Sequence, residues 1–137
     1  MSAVRKEAPD PENNAIRKVA LDYIDGWYDG DHERMAGSLH PGLAKRIVER
    51  NCEASASWPA GDRLDEFSAM RLIERAHHEP VPKERRRSDV RILDRFENAA
   101  SVRVDAFYWI DYLHMAKFNG RWQIINVLWE LRPGVGA

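Results

Sequence analysis

The chain has 137 residues, a formal net charge of −1 and 31% charged residues with both signs interspersed. That length suits one domain with a genuine hydrophobic core, and the charge balance argues against a nucleic-acid binder, which shows a basic excess. No run approaches a membrane span, the N-terminal MSAVRKEAPDPENN carries no apolar segment of the signal-peptide kind, and Cys52 is the only cysteine. The expectation is a cytoplasmic protein without an internal disulfide.

Residues 1–9 read as a flexible tail and 133–137 as another, leaving a single domain over 10–132. Asp10-Pro11 reads as an N-cap with proline in the first helical turn. Ile16, Val19, Ala20, Tyr23, Ile24 and Trp27 follow as an apolar stripe at helical spacing. Gly30 stops that helix, and Asp31 caps a second, DHERMAGSLH, which ends at His40-Pro41. LAKRIVER reads as a short strand and residues 52–63 as a loop carrying Trp58-Pro59. A third helix is predicted from Asp65 to about His77, with Phe67, Met70 and Ile73 buried, followed by the exposed connector HEPVPKERRR.

The remainder reads as strands: SDVRILDRF, then ASVRVDAFYWIDYLHMAKF, then RWQIINVLWEL, with turns at Glu97-Asn98 and Asn119-Gly120. An Asn-Gly pair between apolar runs is a strong hairpin signal, because a type I′ turn needs positive φ at both positions. Helices segregated from an antiparallel sheet give the α+β class.

A two-residue turn at Asn119-Gly120 sets Phe118 opposite Arg121 and fixes both faces of the hairpin. One face holds Tyr108, Ile110, Tyr112, His114, Ala116 and Phe118 with Leu131, Trp129, Val127, Ile125, Gln123 and Arg121; we expect it to point inward. The other holds Trp109, Asp111, Leu113, Met115 and Lys117 with Glu130, Leu128, Asn126, Ile124 and Trp122. Both faces are largely apolar, whereas a sheet with one wet side alternates. The helices cover one. A homodimer is expected to cover the other, through Trp109, Asp111, Leu113, Met115, Trp122, Ile124, Asn126 and Leu128.

The order of elements, the ending DYLHMAKFNGRWQIINVLW and the opening YIDGWYDGDHERMAGSLHP resemble the nuclear-transport-factor-two-like superfamily, and within it the putative lumazine-binding branch. The resemblance spans roughly residues 12–132. It implies three N-terminal helices packed in the concave face of a curved antiparallel sheet, a cone-shaped α+β barrel with a pocket at its open end, and frequent dimers. In ketosteroid isomerase, a member of the same superfamily, a tyrosine on the first helix donates to the oxyanion. Tyr23 stands at the matching distance before Gly30-Asp31, and His114 falls near the position of that enzyme's second donor. Its general-base carboxylate would lie near Arg46 to Val48, where this chain has no acid. The isomerase mechanism is therefore not expected.

The candidate catalytic residues are His114, Tyr23 and His40, each with a structural reading beside the functional one. His114 is a proton carrier or a hydrogen-bonded core histidine. Tyr23 is a donor or a core tyrosine with a satisfied hydroxyl. His40 faces the pocket mouth or holds a helix C-terminus. Asp111, among apolar neighbours, needs a partner, and Lys117 or Asn126 could serve. His77-His78-Glu79 does not converge on a metal, because adjacent helical residues point about 100° apart. Arg85-Arg86-Arg87 reads as a solvated loop more readily than as a phosphate site. Cys52 has no evident His or Asp partner for a nucleophile's role, and Trp58 has no assigned place. No metal and no cofactor are expected.

Three functions fit. The first is a pocket protein binding a flat apolar or heterocyclic ligand with Tyr23, Trp27, Tyr112, His114, Val127 and Trp129. The second is an acid–base isomerase, dehydratase or cyclase using His114 and Tyr23. The third is a dimeric interaction module with a filled cone.

Overall fold

The computed structural model describes residues 10–135; the expected tail at 1–9 and the last two residues of the one at 133–137 lie outside the described residues. Helix α1 spans Pro11–Asp29. Asp10 Oδ1 caps it by accepting from the Glu12 and Asn13 amides at 3.0 and 3.3 Å, satisfying donors that a helix start leaves open. Gly30, at φ 66°, closes it in the left-handed conformation. Helix α2 covers His32–Ser38 under an Asp31 cap, and the chain passes directly into strand β1, Leu39–Cys52.

Strand β2 (Gly61–Ser68) and helix α3 (Ala69–Arg75) follow, then a 3₁₀ turn at Lys83–Arg85. The last four strands are β3 (Asp89–Phe96), β4 (Ala99–Asp105), β5 (Trp109–Phe118) and β6 (Arg121–Leu131). They form one curved, unclosed six-stranded sheet in the order β2-β1-β6-β5-β4-β3, with the three helices packed against it. Strand β1 runs parallel to β6 and every other pair is antiparallel. The α+β class holds, and the sheet is mixed where an antiparallel one was expected.

Helix α2 ends at Ser38 where His40-Pro41 was expected, and three larger differences from the sequence reading bear on the site. The expected third helix begins four residues late, because Gly61–Ser68 pairs with β1 as a strand. Its inward alternation of Arg63, Asp65 and Phe67 is masked by the exposed Leu64. The long expected strand from Ala100 to Phe118 is two antiparallel strands, with a turn at residues 106–108 closed by Ala106 N donating to Trp109 O. Asp105 before that turn is clamped by Arg103 and Arg132.

The third difference moves whole faces. The Asn119-Gly120 turn has φ of 50° and 80° and sets Phe118 opposite Arg121, as the sequence requires. The ladder then slips by one residue: Met115 pairs with Ile124 and His114 with Asn126, leaving Ile125 as a bulge. Leu113, Met115, Trp122, Ile124 and Val127 are buried against the helices, together with Asp111. Tyr112, His114 and Phe118 lie on the other side, exposed. The assignment of faces on β5 is therefore inverted relative to expectation. A turn fixes which residues share a face, not which face is buried. The unbroken Leu113–Met115 pair with Trp122 and Ile124 fills the helix side better than side chains with polar tips.

The core combines that inner face with Ile16, Ala20, Tyr23, Ile24 and Tyr28 of α1, Met35 of α2 and Leu72 of α3. Glu12 pins the start of α1 to the hairpin, accepting from Lys117 Nζ at 2.8 Å and Trp122 Nε1 at 2.7 Å. The connector after α3 is held by Arg86, which donates to Val81 O, Tyr28 O and Asp29. That guanidinium is thus committed inside the fold, while Arg87 pairs with Asp89 at the surface. No helix of the described residues is long and apolar enough to cross a membrane.

Candidate functional site

At one end of the concave face lies a cavity of about 370 Å3. Trp27 of α1, Phe67 of β2, Leu72 and Arg75 of α3, Trp109 of β5 and Trp129 and Leu131 of β6 wall it, with Tyr108 and Val135 at its edge and Lys45 of β1 at its floor. A wider outer depression shares Phe67, Arg75, Trp129, Leu131 and Val135 with it and continues to Arg50 and Arg132.

Lys45 reaches this floor because alternation on β1 sends Leu43 and Lys45 to the same inner side. It is only 8% exposed. Its Nζ donates to Tyr23 Oη at 2.8 Å, and no other acceptor of the described residues lies within hydrogen-bond distance. The same nitrogen sits 5.0 Å from the centre of the Trp129 ring and 5.4 Å from that of Tyr23, so aromatic faces supply part of the electrostatic compensation that water would give. Tyr23 itself is buried beneath it.

Asp111 completes the cluster from β5. It is 0% exposed. Its Oδ2 accepts from Trp109 Nε1 at 2.9 Å, whereas Oδ1 has no hydrogen-bond partner among the described residues. The indole Nε1 of Trp129 is likewise buried without an acceptor among the described residues. No direct ion pair joins Asp111 to Lys45, but each charge acts on the other. Burial lowers the Lys45 ammonium's pKa, opposed by the Asp111 charge. Burial raises the Asp111 carboxyl, opposed by Lys45 and by the Trp109 hydrogen bond. Burial, with the Asp111 charge second, pushes the Tyr23 hydroxyl well above its ordinary range. Desolvation leads in all three, and it favours the neutral form of each group.

At the rim, the guanidinium carbons of Arg71 and Arg75 lie 4.6 and 4.5 Å from the centre of the Phe67 ring. Neither guanidinium has an acceptor among the described residues. The arrangement can grip an uncharged ring between aromatic walls, direct an amine at an acceptor or electrophile at the bottom, and offer a cation at the mouth.

Of the residues singled out from sequence, Tyr23, Trp27, Val127 and Trp129 lie on the concave side. Trp27 and Trp129 wall the cavity, Tyr23 lies under Lys45, and Val127 is wholly buried in the core. Tyr112 and His114 are on the convex side, where His114 Nδ1 contacts the Asn126 amide at 3.2 Å. His40 lies elsewhere, tilted against the Phe118 ring and accepting from the Gly42 amide. The partner of Asp111 is Trp109, not Lys117 or Asn126; Lys117 serves Glu12, and Asn126 accepts from Arg46. His77 stacks on His32 and His78 meets Trp27 edge-on; no group of three potential metal ligands occurs among the described residues. Trp58 is 60% exposed over Glu49, Arg63 and Leu64, away from the cavity.

Sequence reasoning missed Lys45, Phe67, Leu72, Arg75, Trp109 and Leu131 in the cavity wall, and Asp111 in the cluster with Lys45 and Tyr23. Asp111 carried a signal, a lone carboxylate in an apolar stretch, and the inverted face hid its place. Lys45 carried almost none: in LAKRIVER it stands beside Arg46 like any surface base.

Residues 11–130 match the family described as putative lumazine-binding. No curated protein matches the chain. Among solved structures, it is similar to an NTF2-like protein of unknown function from Shewanella baltica at 17% identity and a TM-score of 0.68, covering 94% of this chain and 100% of that one. A second NTF2-like protein of unknown function, from Silicibacter pomeroyi, gives 12% identity, a TM-score of 0.67 and coverage of 88% and 96%. A protein of unknown function with a cystatin-like fold from Nostoc punctiforme gives 12%, 0.62, and 96% and 98%. At these identities the likeness concerns the fold.

Proposed function

The chain belongs to the putative lumazine-binding family of the nuclear-transport-factor-two-like superfamily, and from that premise we propose that it binds a planar apolar or heterocyclic small molecule in the cavity over Lys45. The observation that carries this reading is the floor: a buried lysine with a single protein acceptor beneath walls of Trp27, Phe67, Trp109 and Trp129. A ligand oxygen there would accept one of the remaining Nζ–H donors, and the indole walls would bury its ring. Lumazine, the ligand in the family's description, has that shape and two carbonyl oxygens. Arg75 at the mouth suits a substituent with negative character. The cavity volume falls within the range of about 300–1,000 Å3 that small-molecule sites occupy, which favours an occupied cone over a filled one. An acid–base pair of His114 and Tyr23 gains no support, since the two lie on opposite sides of the sheet.

Tryptophan fluorescence during titration with lumazine tests this, because three indoles wall or border the cavity. We expect saturable quenching, weakened at least about tenfold, or 1.4 kcal/mol, in K45M and unchanged in H114Q. Absence of saturable quenching, or equal affinity in K45M, overturns the reading.

We also infer a homodimer through the convex face of the sheet. The residues first expected to form it are mostly inside: Asp111, Leu113, Met115, Trp122 and Ile124 are buried and Trp109 walls the cavity. Of that set, Leu128 and Asn126 are on the convex side. There they join Tyr112, His114 and Ile125, and it is this group that supports an interface.

A further inference from the structure

Resting on the cavity as a ligand site, we propose that Lys45 is a carbonyl-capturing amine, which takes a planar apolar aldehyde or ketone as a reversible imine at the cavity floor. The geometry is that of an amine aimed into an apolar recess. Lys45 Nζ is held by Tyr23 Oη at 2.8 Å and by the Trp129 face at 5.0 Å, and with one N–H on Tyr23 the neutral amine keeps a second N–H and its lone pair for a group in the cavity that Lys45 lines. The remaining described lysines are differently placed. Lys18 and Lys83 are exposed, and Lys117 is tied to Glu12 at 2.8 Å. A desolvated lysine in an apolar pocket has more of its neutral, nucleophilic form than a surface lysine. Burial acts in that direction on Lys45.

The capture balances without any redox partner. The neutral Nζ lone pair attacks the carbonyl carbon, a C–N bond forms, and the C=O π pair moves to oxygen. The attacking nitrogen gives up a proton and the oxygen gains one, producing a carbinolamine. The hydroxyl, once protonated, departs as water to leave a cationic iminium, which gives up the second nitrogen proton to become the neutral imine. Tyr23 Oη, in contact with Nζ, is placed to carry those protons between nitrogen and oxygen. Asp111, buried behind the pair with Oδ1 unpartnered, stabilises the cationic iminium through its charge. Tyr23 and Asp111 are positioning residues in this scheme; Lys45 alone bonds to the ligand. Water reverses the sequence and releases the carbonyl compound.

Reductive trapping decides the matter. The full chain is incubated at neutral pH with 2-naphthaldehyde and sodium cyanoborohydride, then measured by intact mass and by peptide mapping. The expected result is one naphthylmethyl group, saturable in aldehyde, on Lys45, formed at least about tenfold faster than on Lys18 or Lys83. In parallel, 2-naphthol, which has the ring without the carbonyl, is titrated against tryptophan fluorescence. Labelling spread over exposed lysines with Lys45 unmodified overturns the imine proposal. If 2-naphthol still quenches saturably in that case, ligand binding stands without it; if it does not, both readings fall. K45R cannot form the imine, so it should lose the fast adduct. A fast single adduct that persists in K45R also overturns the proposal.

Discussion

A carboxylate with no exposure and one bare oxygen is costly wherever it occurs, and Asp111 is that residue here. Its charged form forgoes hydration and recovers part of that loss from the field of Lys45, the Trp109 hydrogen bond and the nearby Tyr23 hydroxyl. The net effect is a folded-state pKa raised above the ordinary 3.8. The folded protein therefore holds this proton more tightly than the unfolded chain does. The corresponding stability is fully present below pH 3.8 and is lost as pH rises through the raised folded value. D111N removes the titration while keeping an acceptor for Trp109. Measured by urea denaturation, the stability of D111N relative to the parent should grow as pH rises from 3.8 and then level off. Each pH unit of that window adds about 1.4 kcal/mol. Asp10, Glu12, Asp22 and the other surface carboxylates titrate equally in both proteins and cancel. A difference that shrinks with rising pH would mean that Lys45 more than offsets the burial of Asp111.

Among elements, those whose signal is local were legible from sequence. Asp10-Pro11 and Gly30 bracket α1 through their own backbone chemistry, and Asn119-Gly120 sets its turn through positive φ. What escaped was decided by neighbours in space. The bulge at Ile125 has no residue of its own to announce it; it follows from fitting β6 against both β5 and β1. That single extra residue lets Trp122 and Ile124 before it, and Val127 and Trp129 after it, face the same side. So Val127 and Trp129 arrive on the concave side through a slip, while Tyr112 and His114, one step off on β5, do not. The start of α3 was misplaced for a similar reason, since β2 is a strand only because β1 is beside it.

Gly30 shows how closely a local signal can be tied to tertiary fit. Its φ of 66° disfavours a side chain, and a Cβ there would collide with the His78 carbonyl oxygen. G30A should lose more than about 2 kcal/mol, since the left-handed backbone alone costs roughly 1–2 kcal/mol. A loss below about 0.5 kcal/mol in urea denaturation, which is within ordinary surface variation, would show that the α1 terminus and the connector yield easily.

For the whole molecule the unanswered surface is the convex side of the sheet. Helices cover the concave side, and no element of the described residues covers the other. Cross-strand pairing puts Tyr112 beside Leu128 and His114 beside Asn126, with Tyr112 41% and Leu128 47% exposed. Ile125 bulges from the same side, and Arg46 and Arg103 flank it through their pairing with Leu128 and Tyr112. An apolar centre with a charged margin has the anatomy of an interface core and rim. A stable two-fold contact would need about 800 Å2 from each copy. Light scattering should therefore give the mass of two chains at micromolar concentration, and L128R should give one. Because the cavity opens on the concave side, between α3 and the end of β6, lumazine quenching in the L128R monomer should match the parent. A parent that is already monomeric removes the dimer. A monomer that has also lost quenching would mean that the two sides of the sheet are coupled, and that the convex face holds the cavity in shape as well as holding its partner.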